Sequence, residues 1–530
     1  MLRRDLLKTS ALLLGGGSLA MPGVARAQGN KVLNFIPYAD VAVVDPTFST
    51  AYTTRTHALA VYDTLFGTDE NLQPQPQMIA GHVLEDDGLT WKLTLRDGLQ
   101  FHDGSKVLAR DCVASLKRWG ARDAFGQVVM DVTNELSAPD DKTIVFRLQR
   151  PCPLLPLALG RASSLVPAIM PERLANTDPF KQVTEVIGSG PFRFVADERV
   201  PGALVVYARH TGYVPRADGT PSYTAGPRTP NVDRIVFNVI TDPATAAAAL
   251  QTGDADWVEQ PLIDLLPMLT RTRDIAVEIK DKTGMVGCFR FNHLQPPFNN
   301  PAIRRVVLQA VNQADCMTAV AGAAPDYWQG EVGYFPPGSP MATRPGFGKT
   351  DAAKLAQLRT ALTEAGYKGE RVVFLSGADV PRISAVCEVM RDALVQIGMN
   401  VDFVAADWGT VVSRINSRNP VNEGGWSCYC TYWSGMDQWM PPSHTFLRAS
   451  GTRGATGWPD SPDLEALRAQ WLLADGEAAQ KAIAAQLQTT AERDVPYIPL
   501  GLFKQPIAYR KNITGILNGA PVFTNLRKEG

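Results

Sequence analysis

Residues 86–119 read DDGLTWKLTLRDGLQFHDGSKVLARDCVASLKRW, and this stretch decides the fold class. Over 89–95, Leu89, Trp91, Leu93 and Leu95 alternate with Thr90, Lys92 and Thr94, the period-two pattern of a strand with one buried face. Asp97-Gly98 and Asp103-Gly104 punctuate it as turns. Ser105 then stands as the N-cap of a short amphipathic helix, with Asp111 in its first turn and Val113, Leu116 and Trp119 recurring at a spacing of three. Lys117 and Arg118 fall near the end of that helix, where cations suit its dipole. A second alternating run over 142–148, carrying Ile144, Phe146 and Leu148, is expected to pair with the first strand.

Outward from this unit, 32–36 reads as a short strand and 57–65 as a helix closing at Gly67. Gly188-Ser189-Gly190-Pro191-Phe192 reads as a turn into a strand. The stretch 232–240 puts Ile235, Phe237 and Val239 on one strand face; Asp242 as N-cap, Pro243 at the first helical position and Gly253 as a stop frame an Ala-rich helix. Residues 211–230, rich in Gly, Pro and Thr, read as an exposed loop. From 351 the periods alternate: helix to 365, strand 371–375, helix 381–397, strand 400–404, helix 408–415, then one long helix over 463–493. Such alternation implies a parallel sheet with covered faces.

The order strand, DG turn, F-H-D-G and helix resembles the family 5 extracellular solute-binding proteins, the peptide, nickel and opine receptors of ABC importers. Three further pieces are similar to that family: G-S-G-P-F at 188–192, the D-P start and G-D-A-D ending over 242–256, and RFNHLQPPF at 290–298. The resemblance implies an α/β, bilobal periplasmic-binding-protein-like fold of class II with an extra small α+β subdomain. Residues 28–53, 187–283 and 496–530 would form the first lobe, 54–186 the accessory α+β subdomain and 284–495 the second lobe. In the family the segment VPYIPL at 495–500 returns the chain to the first lobe. Two lobes sharing such crossings can rotate about a hinge and trap a ligand.

The N-terminus carries Arg3-Arg4-Asp5-Leu6-Leu7-Lys8, an apolar run over 11–21 and Ala25-Arg26-Ala27, an export signal covering 1–27. The paired arginines look like the twin-arginine type, and no Cys stands at the cleavage site to take a lipid, so a freely diffusing periplasmic protein is expected. Removal of 1–27 leaves 48 basic and 52 acidic side chains, a net charge of −4, which argues against nucleic acid as a partner. Beyond the signal, no run of about 18 apolar residues is uninterrupted. Seven cysteines make an odd count rather than a disulfide framework, and Cys428-x-Cys430 with His444 lacks the spacing of a zinc site. There is no H-E-x-x-H, nucleophile elbow, P-loop or dinucleotide fingerprint, so neither catalytic residues nor a cofactor are expected. His102 beside Asp103 lies between turns and reads as surface structure.

The expected ligand contacts centre on 424–442, GGWSCYCTYWSGMDQWMPP, with Trp426, Tyr429, Tyr432 and Trp433 and one carboxylate, Asp437. Rings with polar tips and a few placed polar groups are the make-up of a small-molecule cleft. Peptide-binding relatives carry a G-W-x-x-D-type stretch whose carboxylate pairs with the ligand's α-ammonium; here Tyr429 and Cys430 stand where that acid would fall, and Asp437 follows a longer run. Arg382, at a helix start, could offer its fork to a ligand carboxylate. Tyr52, in the loop after the first strand, and Trp408, at a helix start after a strand, lie where α/β clefts gather contacts. The resulting expectation is a monomeric periplasmic receptor that binds a short peptide or amino-acid-derived solute and docks on an inner-membrane ABC permease. A ligand sensor of the same fold and a secreted hydrolase are the alternatives, and peptide, opine and metal chelate all stay open as ligands.

Overall fold

The computed structural model describes residues 31–529; the export signal expected over 1–27 lies outside the described residues. Three sheets carry the architecture. The first has seven strands in the order Ile275–Ile279, Pro506–Arg510, Trp257–Val258, Val32–Ile36, Arg234–Asn238, Leu204–Arg209 and Phe192–Phe194. Val32–Ile36 is central and parallel to both neighbours, each reached through the kind of long crossover that a parallel pairing requires. Phe35, Phe237, Trp257 and Phe523 close its core. The expected βα punctuation is present: Asp242 accepts from the Thr245 N–H at 2.7 Å and Gly253 takes a left-handed φ of 91°.

The accessory subdomain is an antiparallel sheet in the order Ile79–Glu85, Thr90–Leu95, Thr143–Leu148, Thr133–Ser137. Trp91, Leu93 and Leu95 turn inward against Cys112, Leu116 and Trp119 of the helix Ala109–Gly120. Ser105 is not that helix's cap: its hydroxyl donates to Asp103 within the DG turn at 2.6 Å, while Asp111 reaches back to accept from the Leu108 N–H at 2.9 Å. The helix before it spans Tyr52–Val61 rather than 57–65 and is buried throughout. Ala58, Leu59, Ala60, Val61 and Tyr62 pack with Leu33, Phe35 and Phe237, so this helix belongs to the first lobe and the subdomain begins after it, not at 54. Nor is 211–230 a free loop. Tyr223 is buried and donates to the Ala162 carbonyl at 2.9 Å, and buried Arg228 pairs with Asp63 at 2.8 Å.

The second lobe holds six strands in the order Trp328–Gln329, Ile498–Phe503, Met285–Phe291, Cys428–Ser434, Arg371–Gly377, Asn400–Ala406. The βαβ run gives the expected parallel pairs, Arg371–Gly377 with Asn400–Ala406 and with Cys428–Ser434. Met285–Phe291 is antiparallel to both its partners, which makes the sheet mixed. The long C-terminal helix is two, Pro462–Leu473 and Gly476–Asp494, broken where Gly476 adopts a φ of 78°. Ile498–Phe503 belongs to this sheet, so the chain returns to the first lobe between Phe503 and Pro506 and not at Val495. A strand buried on both faces has no alternation to say which sheet it joins. The outward crossing runs from Ile279 to Met285, and these two short crossings stand side by side as the joint between the lobes.

Candidate functional site

The seam between the lobes gathers several of the expected residues. Tyr52 opens its helix instead of lying in a loop, and its side chain enters the second lobe: its hydroxyl oxygen accepts from the Ser434 N–H at 2.6 Å, and the hydroxyl donates to Asp437 at 3.4 Å. Its ring stands edge-on to Trp433 at 6.3 Å, and Trp433 in turn lies 4.7 Å from Phe446. Tyr432, on the opposite strand face, meets Phe503 at 5.5 Å. Arg382 is half-buried at the start of Pro381–Gln396; one guanidinium nitrogen donates across the seam to Gln260 at 3.0 Å, over the Phe503 ring.

Asp437 is placed differently from expectation. It is 0% exposed and paired with Arg161 of the accessory subdomain at 2.5 Å, while Arg161 also pairs with Asp123 at 3.2 Å. Burial drives the Asp123 carboxyl above its usual range. The triad ties the subdomain to the second lobe, and the Asp437 carboxylate is already matched by a guanidinium rather than free for a ligand ammonium. Beside it a pocket with a mainly apolar wall is lined by Leu72, Phe125, Leu157, Arg161, Met436 and Trp439, among others.

Trp426 and Tyr429 do not reach the seam. Trp426 is 0% exposed and donates its indole N–H to the Ser417 carbonyl at 3.1 Å; Tyr429 packs on it at 5.4 Å within a core shared with Val373, Leu375 and Trp458. The aromatic density of 424–442 marks a central strand covered on both faces, of which only the C-terminal end faces the other lobe. Trp408 caps the same end of the parallel pair as Arg382, its ring pressed on Gly377 and its N–H donated to Asp379 at 2.7 Å, within the second lobe's own packing. His444 is no metal ligand: its Nδ1 accepts from the Leu447 N–H at 3.2 Å, which leaves the proton on Nε2 for the Tyr334 carbonyl at 2.8 Å. All seven cysteines are buried and free. His102 is structural but not superficial; its ring bonds the Gly190 carbonyl at 3.1 Å and its N–H the Gly188 carbonyl at 2.9 Å.

Sequence reasoning missed Tyr38, Arg55, Glu259 and Gln260, all on the first-lobe side of the seam. Glu259 follows the strand Trp257–Val258, accepts from the Tyr38 N–H at 3.0 Å and is pushed by burial up to about 7. Tyr38 packs against the second lobe's core, and Arg55 lies 4.6 Å from the Tyr52 ring centroid. A carboxylate one residue past a strand end, as in Val258-Glu259, was the signal available. The seam thus brings opposite charges and four rings together from its two sides.

The family model for bacterial extracellular solute-binding proteins, family 5 (middle), matches residues 73–457. The chain is 37% identical over 548 residues to the probable peptide ABC transporter periplasmic-binding protein y4tO of Sinorhizobium fredii, with 99% of each chain covered. In fold it is similar to the periplasmic binding protein AgaA from A. tumefaciens R10 solved with agropinic acid, with a TM-score of 0.77 at 18% identity over 94% of this chain and 99% of that one. The same TM-score of 0.77, at 20% identity and with 94% and 99% of the two chains covered, relates it to DppA from Helicobacter pylori in complex with the peptide STSA. Matched along most of its length by the family model and end to end by a relative, the chain belongs to the bacterial extracellular solute-binding proteins of family 5.

Proposed function

We propose that this protein is the periplasmic substrate-binding component of an ABC importer, taking a short peptide or an amino-acid-derived solute between its lobes and delivering it to the inner-membrane permease. The observation that carries this reading is the seam itself: two lobes linked by two short crossings, with Tyr52 reaching Ser434 and Arg382 reaching Gln260 across it. Tyr38, Tyr52, Arg382, Tyr432 and Trp433 are the contacts assigned to the solute. Binding is reversible and no bond is made or broken. Closure is driven by the solute's preference for the closed form alone, and reversing a 99:1 bias toward open needs roughly 5.5 kcal/mol. The agropinic acid and peptide complexes of the structural neighbours support the ligand class, and the paired arginines at 3 and 4 support twin-arginine export.

The test is native mass spectrometry of the mature protein purified gently from periplasm, set against the same sample denatured. A released ladder of peptide masses, or one sharp amino-acid-derived species, is the expected result, with uptake of that species lost on gene deletion. A protein that comes out empty and is not stabilised by peptides, opines or metal chelates would sink the reading.

A further inference from the structure

Seven arginine side chains are buried among the described residues, and six of them make at least one side-chain hydrogen bond or ion pair, although Nε and Nη1 of Arg290 and Nε of Arg228 stay without a partner. Arg118 pairs with Asp45, Arg161 with Asp123 and Asp437, Arg228 with Asp63 and Arg468 with Glu465. Arg304 donates to the Phe298 and Asp494 carbonyls, and Arg290 to that of Thr456 while lying 4.1 Å over the Phe446 ring. Arg55 is the exception. It is 7% exposed, its Nε is buried without a partner, and none of its side-chain nitrogens enters a hydrogen bond or ion pair among the described residues. Keeping an unmatched guanidinium out of water costs stability, which is sensible where a partner arrives from outside the fold.

Its surroundings say what that partner would be. Tyr52, against which the guanidinium lies, is the side chain inserted into the second lobe, and the carboxyls that favour the charged form of Arg55 against its burial are Asp281, on the outward crossing, and after it Glu259. Glu259 is 4% exposed and forms no ion pair among the described residues; one of its oxygens is engaged by Tyr38. A buried guanidinium and a buried carboxyl therefore stand on the same side of the seam, neither paired with the other. This deepens the receptor reading and rests on it. We propose that Arg55 and Glu259 read the charged head of the solute, Arg55 taking a carboxylate with its planar fork and Glu259 a protonated amine, so that the solute carries both groups as an unblocked amino acid or short peptide does.

The proton inventory offers a second handle. Burial pushes the empty Glu259 carboxyl up to about 7; the groups facing it are Tyr38 and Arg55 in its own lobe and Tyr432 from the other, with Asp281 beyond Arg55 and Arg382 held on neighbouring Gln260. An ammonium arriving there favours the ionised form and expels the proton.

The experiment uses the mature protein with three probe pools: unblocked amino acids and dipeptides, the dipeptides as C-terminal amides, and the dipeptides N-acetylated. Thermal unfolding and calorimetry are run on wild type, Arg55→Met, Arg55→Lys and Glu259→Gln. The expected result is that only the unblocked pool stabilises wild type, with binding near pH 7 releasing a proton seen as a buffer-dependent enthalpy that Glu259→Gln abolishes. Arg55→Met should weaken the best probe by about thirtyfold or more, with Arg55→Lys between, and should raise the melting temperature of the empty protein, since an unmatched charge is gone. Amidated or acetylated probes binding as well as unblocked ones overturns the proposal. So does an Arg55→Met protein that melts lower yet binds normally, the behaviour of a structural arginine. A wild type that answers none of the pools overturns the amino-acid head, while a different solute released in native mass spectrometry would leave the receptor reading standing.

Discussion

Asp437 shows how a residue legible as important can be misread in role. In sequence it is the one carboxylate in an aromatic run; in the fold it is the second acid of the buried Asp123–Arg161–Asp437 triad, with Ser164 at 3.3 Å and Tyr52 adding hydrogen bonds. Nothing in 424–442 reveals that an arginine 276 residues earlier is its partner. The triad is unequal: removing Asp437 still leaves Arg161 matched by Asp123, whereas removing Arg161 strands two buried carboxylates. Arg161→Met should therefore cost about 3–5 kcal/mol in urea denaturation, clearly more than Asp437→Asn. Equal costs for the two would show that Asp437 is held by something other than Arg161.

The strand Cys428–Ser434 teaches the same lesson at the level of elements. Composition marks 424–442 only as an aromatic run and not as a strand, and its rings divide by position along the strand: Tyr429, with Trp426 just before it, faces the interior of its own lobe, and Tyr432 and Trp433 reach the seam. Trp426→Ala should thus cost about 3–5 kcal/mol of stability with solute affinity unchanged per folded molecule, while Tyr432→Ala should weaken binding with a far smaller loss of stability; isothermal calorimetry alongside chemical denaturation separates the two. The DG and Gly-Ser-Gly-Pro turns were readable as turns, yet not as partners. His102 of the first grips the carbonyls of Gly188 and Gly190 in the second. A Cβ on Gly188 would stand 2.1 Å from the Val61 carbonyl oxygen, against backbone that cannot yield. Gly188→Ala is expected to lower the melting temperature by several degrees, about 1–3 kcal/mol in stability, and to loosen the subdomain on the first lobe, seen as faster amide exchange over Thr90–Leu95.

Across the whole molecule, the bilobal plan was legible through the family resemblance, while local punctuation such as Asp242 with Pro243 and Gly253 marked where single elements begin and end. The joint was not, since Ile498–Phe503 is apolar on both faces and pairing across lobes is a long-range choice that no local pattern records. The same depth of burial sets the acid response of the fold. Burial lowers His57 to about 3, His102 to about 4 and His444 to about 3, and holds His293 well below the ordinary value of 6.5. Between roughly pH 6.5 and 4 the unfolded chain therefore binds protons that the folded one refuses, and stability falls as the pH drops through that window. Glu259 works the other way: its raised carboxyl holds a proton in the folded state up to about 7, so it adds stability at low pH that fades as the pH rises from 4.5 to about 7. Five lowered histidines, His210 among them, outweigh Glu259, the main opposing group in this window, and the raised Asp111 and Asp123, each fully titrating imidazole contributing about 1.4 kcal/mol per pH unit. Melting curves from pH 7 to pH 4.5 should show a steady fall, and the fall should become steeper in Glu259→Gln, which removes the opposing group. A melting temperature that holds level or rises over that range would mean that these imidazoles take up protons without the fold opening.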